Sequence, residues 1–68
     1  MTGAQLKKAR TKLGLTREQM ATLLGYEGKH LAQMVYDLES GRRAVREPHR
    51  RLVEAYLSGY RSRDWPAG

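Results

Sequence analysis

Residues 16–41 constrain the fold more than any other stretch, because two helix-end signals enclose apolar residues at helical spacing. Thr16 and Gln19 have the spacing of a capping box, in which the hydroxyl accepts from a backbone N–H and the amide reaches back. A helix should therefore begin at Arg17, and Gly25 marks its end because glycine readily adopts a left-handed conformation. One face of this helix is apolar, through Met20, Ala21, Leu23 and Leu24.

A second periodic segment follows a loop that contains Gly28. We expect its helix to begin near Lys29 and to direct Leu31, Val35 and Leu38 inward. The opposite face carries polar side chains, namely Lys29, Gln33, Tyr36 and Asp37, with His30 beside them. Two short helices joined by a glycine-bearing turn are typical of a helix-turn-helix, whose second helix enters the major groove of DNA.

Similar signals predict a helix on either side of this pair. Thr2 and Gln5 repeat the capping spacing, so the first helix should start near Gly3 and end at Gly14. The last helix should cover residues 48–58, because proline is favoured in a first helical turn and glycine follows at residue 59. On this helix, we expect His49 to be solvated. The sequence therefore predicts an all-α chain with a domain at residues 1–59 and a tail at residues 60–68.

Arg10 lies on the apolar stripe of the first helix, where a guanidinium needs a partner. Its aliphatic stem can lie along the apolar surface while its head stays in water. Alternatively, Arg10 forms an ion pair with Glu39 and ties the first helix to the third. Loss of one partner of a buried pair costs about 3 to 5 kcal/mol, whereas an exposed pair contributes close to nothing.

Composition limits the class of protein. A chain of 68 residues allows one domain with a small core, and the lack of cysteine excludes disulfides and thiolate metal sites. The 13 lysines and arginines against 7 acids give a net charge of +6, which attracts polyanions. No apolar run reaches the roughly 18 residues that span a membrane, and no secretory signal follows Met1. We therefore expect a cytoplasmic protein that does not bind a membrane.

Residues at the helix ends and on the apolar faces carry a family resemblance: Leu6, Arg10, Gly14, Leu15, Thr16, Met20, Ala21, Leu23, Leu24, Gly25, Val35, Leu38, Glu39, Ser40, Gly41, Arg42 and Arg43. Together they resemble the Cro and C1 type, also called xenobiotic-response-element type, of phage and bacterial repressors. The resemblance implies a compact domain of four to five helices with a helix-turn-helix, often dimeric on a near-palindromic operator. It also implies the pairing of Arg10 with Glu39.

Two features depart from that family. Residues 28–31 exceed its usual spacing between Gly25 and Gly41, and they lengthen either the loop or the recognition helix. The family also often has a fifth helix, for which this sequence gives no clear signal. Without it, apolar surface on the last helix would be exposed, and dimerisation would cover that surface.

Candidate contact residues follow from this arrangement. Bases should be contacted from the second helix of the pair by Lys29, His30, Gln33, Tyr36 and Asp37. Glutamine can bind adenine bidentately, and lysine can donate to guanine. Phosphates should be contacted by residues beside the groove, namely Arg17, Arg42, Arg43 and Thr16. A dimer or partner interface should use Leu52, Tyr56, Leu57 and Trp65, although a large aromatic in a polar tail also packs back on its own core.

Two functions are consistent with the sequence. The first is a sequence-specific regulator of transcription that binds double-stranded DNA as a homodimer, such as a small phage- or operon-type autorepressor. It would need no cofactor and no small-molecule ligand. The alternative is a protein-interaction module, antitoxin-like or adaptor, that uses the last helix and Trp65.

Catalysis and metal binding have no support in the sequence. His30 has no second metal ligand at helical spacing, so we expect no metal site. An enzyme is not expected, because the chain has no cysteine, no histidine beside an acid at helical spacing and no glycine-rich phosphate loop.

Overall fold

The computed structural model describes residues 1–66, and four α-helices form the framework of that part of the chain. They are α1 (Gly3–Lys12), α2 (Arg17–Leu23), α3 (Leu31–Ser40) and α4 (Glu47–Leu57). Residues 1–66 contain no strand, so the prediction of an all-helical chain is confirmed.

Reciprocal hydrogen bonds determine where α1 and α2 begin. Thr2 Oγ1 accepts from the Gln5 backbone N–H at 3.1 Å, and Gln5 Oε1 accepts from the Thr2 N–H at 2.8 Å. Thr16 and Gln19 make the same two bonds, at 3.1 and 2.9 Å. Each pair satisfies two backbone donors that a helix start would otherwise leave unpaired. Both predicted helix starts are confirmed.

The start of α3 differs from its prediction. The helix begins at Leu31 instead of near Lys29, so Lys29 and His30 belong to the preceding loop. His30 occupies the N-cap position, but its side chain makes no capping hydrogen bond. In the same loop Gly28 has a φ of 115°, a conformation that favours glycine. Residues 28–30 therefore lengthen the loop, and Leu31 is the first residue of α3.

The core takes side chains from all four helices. Its fully buried large members are Leu6, Met20, Val35, Leu38, Val53 and Tyr56. α3 packs against both α1 and α2, and α4 packs against α1. Val35 and Leu38 hold α3 in this position as its apolar stripe predicts, and Leu31 is half-buried at the edge of the core.

The backbones of α1 and α3 come close together at Gly3. A Cβ atom at residue 3 would overlap the backbone carbonyl oxygens of Leu38 and Glu39. The position therefore requires glycine for its lack of a side chain. This contact sets the first turn of α1 against the last turn of α3.

Residues 60–66 pack back on α4. The ring centres of Trp65 and Tyr56 are 5.1 Å apart, and Tyr60 stacks on Tyr56 at 5.7 Å. Arg61 Nη1 donates to the Tyr56 carbonyl oxygen at 2.9 Å, and the Arg61 guanidinium lies 4.0 Å from the centre of the Trp65 ring. The tail thus covers Tyr56, one of the residues of α4 that we expected a second subunit to cover.

Candidate nucleic-acid interface

The solvent-facing side of α3 presents side chains that can bind base edges. Gln33 is exposed and Tyr36 is 47% exposed, whereas Val35 and Leu38 on the other side are buried. Residues three and four apart lie on one helical face, so residues 33, 36 and 37 are neighbours. The core therefore holds one face of α3 and leaves the other open to a ligand.

Asp37 lies on this face with two partners of its own. Gln33 Nε2 donates to Asp37 Oδ1 at 2.9 Å, and Arg42 Nη1 lies 3.9 Å from the same oxygen. A primary amide has two N–H donors and an oxygen with two lone pairs. Gln33 therefore keeps one N–H and its Oε1 for a ligand, while Asp37 fixes the direction of its amide.

A buried carboxylate joins α3 to α1 and α2. Arg10 Nε donates to Glu39 Oε2 at 2.6 Å, and Arg10 Nη1 donates to the Leu15 carbonyl oxygen at 2.9 Å. Arg17 Nε donates to Glu39 Oε1 at 3.2 Å. The Glu39 side chain is only 3% exposed, so solvent screens these contacts weakly. Of the two alternatives for Arg10, the structure contains the ion pair.

Arg17 reaches from this buried carboxylate to the exposed face of α3. Its guanidinium carbon lies 5.4 Å from the centre of the Tyr36 ring, within the range of a cation–π contact. The side chain is 37% exposed. Its contact with Glu39 was absent from the sequence prediction, because only the packing of α2 on α3 brings the two residues together.

Other cations stand on both sides of α3. Lys29 precedes the helix, Arg42 and Arg43 follow it, and all three are exposed. Within residues 1–66, Lys29 and Arg43 have no acidic partner within 4.0 Å. Thr16 is also exposed, but its hydroxyl oxygen already accepts from the Gln19 N–H.

The four residues predicted for a dimer or partner interface differ in how accessible they are to solvent. Tyr56 is buried in the core and Trp65 packs against it, so neither forms an open surface. Leu57 is 42% exposed, and Leu52 is half-buried. The structure therefore brings Tyr56 and Trp65 together within the chain, and of the four predicted interface residues it leaves Leu52 and Leu57 the more accessible on α4.

His49 is partly buried, where we expected a solvated side chain. Its ring centre is 5.3 Å from that of Tyr26, and its Nδ1 atom is buried without a hydrogen-bond partner in the described part of the chain. Burial lowers the pKa of His49 below its usual 6.5, and the positive charge of Arg46 lowers this pKa further.

His30, the other histidine, is exposed in the loop before α3. Among residues 1–66, no three His, Cys, Asp or Glu side chains are grouped so that they could hold a metal ion. None of the helices in this range combines the length and the apolar character needed to cross a bilayer.

Comparison of the chain with protein-family models, with curated proteins and with solved structures finds no match.

Proposed function

We propose that the chain is a sequence-specific regulator of transcription that binds double-stranded DNA through α3. In this proposal α2 and α3 act as a helix-turn-helix, and the exposed face of α3 enters the major groove. The observation that carries the proposal is the division of α3 into two faces. Val35 and Leu38 anchor it in the core, while Gln33 and Tyr36 point outward between cations that precede and follow the helix.

The chemistry of Gln33 fits adenine. An adenine in the major groove offers an acceptor at N7 and a donor at N6, and an amide can meet both with one N–H and its oxygen. Gln33 retains these two groups after its other N–H is used by Asp37. A well-formed bidentate pair discriminates against other bases by about 1 to 3 kcal/mol.

Phosphate binding is supported by the position of the cations. We predicted base contact for Lys29, but it lies in the loop before α3, so we now propose phosphate contact for it together with Arg43. Neither residue has an acidic partner among the described residues. Arg17 is held by Glu39 at its Nε, but its Nη groups make no hydrogen bond within residues 1–66. Contacts of this kind fix the position of a protein on DNA without reading its sequence.

The outer face of α4 is suited to a second copy of the chain. Pro48, Leu52 and Ala55 form an apolar strip on it, and Glu47 and Arg51 lie beside the strip. Within the chain, Glu47 pairs with Arg50 and with Arg51. In an antiparallel two-fold pairing of α4 helices, we expect Arg51 and Glu47 also to lie across from the opposite charges of the second copy. Hydrogen bonds from Arg50 lower the pKa of Glu47 to about 2.

Selection of binding sites from random DNA, followed by footprinting on the DNA upstream of the chain's own gene, tests the proposal. We expect two protected half-sites about one helical turn apart. Gln33→Ala should lower affinity for the selected site by about tenfold while leaving non-specific binding unchanged. Lys7→Ala, on an exposed part of α1, is the matched control and should bind as the parent does.

Two results would contradict the proposal. One is the failure of any sequence to be enriched from the random library. The other is that Gln33→Ala and Lys29→Ala variants both bind the selected site as tightly as the parent. Binding of a protein partner that is insensitive to salt would then favour the alternative of an interaction module.

The dimer has its own test. Arg51→Glu should place acids against acids in the two-fold pairing and shift the chain to monomer in sedimentation experiments. The double variant Glu47→Arg, Arg51→Glu restores opposite charges and should restore the dimer. A parent chain that is monomeric on DNA would contradict this arrangement.

A further inference from the structure

A second open surface lies between α1 and α4, away from the exposed face of α3. It is a groove of about 430 Å³, lined by Gln5, Lys8, Ala9 and Lys12 of α1 and by Leu57 of α4, among others. None of its lining residues belongs to α2, α3 or the loop between them. The groove is therefore built from different elements than the proposed DNA-binding face.

The floor of this groove is apolar. Leu57 is 42% exposed and is the only aliphatic residue among the large exposed apolar side chains of residues 1–66. Beside it lie Ala9, which is 6% exposed, and the half-buried side chain of Met1. Apolar surface of this kind gains from being covered by another apolar side chain.

The rim of the groove is positively charged. Lys8 and Lys12 are exposed, and neither has an acidic partner within 4.0 Å in the described chain. The sequence of α1 contains no acid that could pair with them. On the opposite wall Glu54 pairs with Arg50, so it does not neutralise the two lysines.

We propose that this groove binds an acidic amphipathic segment of another protein. Such a segment would insert a leucine-sized side chain beside Leu57 and place carboxylates against Lys8 and Lys12. A second copy of the chain fits poorly, because a two-fold pairing would bring the lysines of both copies together. Nucleic acid also fits poorly, because phosphates cannot cover the apolar floor.

A peptide titration tests this proposal independently of DNA binding. The probe is a fluorescein-labelled helical peptide of leucine and glutamate residues, and its fluorescence anisotropy is measured with the full chain. Two control peptides replace all leucines by serine or all glutamates by lysine. We expect the parent probe to bind at least tenfold more tightly than either control, with NMR shift changes at Lys8 and Leu57.

Matched variants locate the binding site. Lys8→Glu should weaken binding of the acidic probe at least tenfold. Lys7→Glu changes the net charge equally on the same helix, but it lies outside the groove and should alter binding less than twofold. Leu57→Ser should also weaken binding while the chain stays folded by circular dichroism.

Three outcomes would overturn the proposal. Equal effects of the Lys7 and Lys8 variants would mean that only overall charge attracts the probe. Loss of DNA binding in Lys8→Glu without loss of peptide binding would assign the rim to nucleic acid. Conversion of a dimer to a monomer by Leu57→Ser would assign the groove to a second copy of the chain.

Discussion

Glu39 is the residue at which three helices meet. It lies on α3, and its buried carboxylate accepts from Arg10 of α1 and from Arg17 of α2. Glu39→Gln keeps the shape of the side chain but leaves two guanidinium groups without their counter-charge. We expect the free energy of unfolding to fall by about 3 kcal/mol, measured by urea denaturation. Glu18→Gln, at an exposed acid, is the control, and equal stability of the two variants would contradict the prediction.

Gly3 provides a test in which two effects oppose each other. Alanine has a helix propensity about 1 kcal/mol better than glycine, so Gly3→Ala would stabilise an open helix. Here the added Cβ meets the carbonyl oxygens of Leu38 and Glu39, which belong to the backbone and cannot rotate away. We expect the steric overlap to outweigh the gain in helix propensity and to lower the free energy of unfolding by about 1 to 3 kcal/mol.

The control for Gly3→Ala is a substitution at the neighbouring residue. Ala4 is exposed, and Ala4→Gly should cost only the propensity difference of about 1 kcal/mol. A Gly3→Ala variant with a higher melting temperature than the parent would mean that α1 and α3 separate easily at this contact.

His49 should make stability depend on pH. Its pKa is lowered in the folded chain by burial and by Arg46, so the unfolded chain binds more protons as pH falls below about 6.5. Stability should therefore decrease as the pH falls from neutral through the unfolded pKa of about 6.5. His49→Gln should reduce this decrease, as followed by urea denaturation at each pH. His30→Gln removes the other histidine and serves as the control. If it reduces the dependence of stability on pH more than His49→Gln does, the assignment of this dependence to His49 is wrong.

At the scale of the helices, the sequence is informative where a side chain marks a helix end. Thr2 and Thr16 cap α1 and α2, and both helices begin where this chemistry predicts. α3 has no such marker, because His30 makes no capping bond. The start of α3 therefore depends on how Leu31 packs against the core, and apolar spacing alone placed it too early.

For the segment after α4, the sequence predicted packing of Trp65 on its own core as one of two alternatives, but not the path of the backbone. This segment has no helical period, and its position depends on aromatic contacts with Tyr56 that form only in the folded chain. The same is true of Arg17, whose partner on α3 is distant in sequence. The exposed and buried faces of α3 itself were predictable, because they follow from helical periodicity.

Trp65 allows the packing of this segment to be measured. Trp65→Ala removes the contact with Tyr56 and the cation–π contact with Arg61, and we expect a loss of about 2 kcal/mol in the free energy of unfolding. Trp65→Phe keeps an aromatic ring at this position and should lose less. The unfolding of both variants is followed by circular dichroism, because neither variant has tryptophan fluorescence. Equal stability of Trp65→Ala and the parent would mean that residues 60–66 do not hold α4.

For the whole molecule, the proposed binding of DNA by a chain with a net charge of +6 should be sensitive to salt. A dimer that makes about 6 to 10 phosphate contacts should lose about a thousandfold or more in affinity between about 50 and 200 mM salt. Lys29→Ala and Arg43→Ala should each reduce the slope of log affinity against log salt by about 1 per phosphate lost. Filter-binding titrations at several salt concentrations measure this slope.

The matched control is Lys7→Ala, which removes the same charge from α1. Its salt slope should equal that of the parent if phosphates are bound beside α3. Identical slopes for Lys7→Ala and Lys29→Ala would instead mean that the chain attracts DNA through its overall charge, without a defined binding face.

The two-faced character of α3 has a consequence for how such a protein could evolve. Residues 32, 33 and 36 are exposed, so substitutions there leave the buried contacts of Val35 and Leu38 intact. New binding preferences could then arise by single mutations without loss of the fold. A combinatorial library randomised at these three sites should consist mainly of folded members, which makes the chain a practical starting point for engineered specificity.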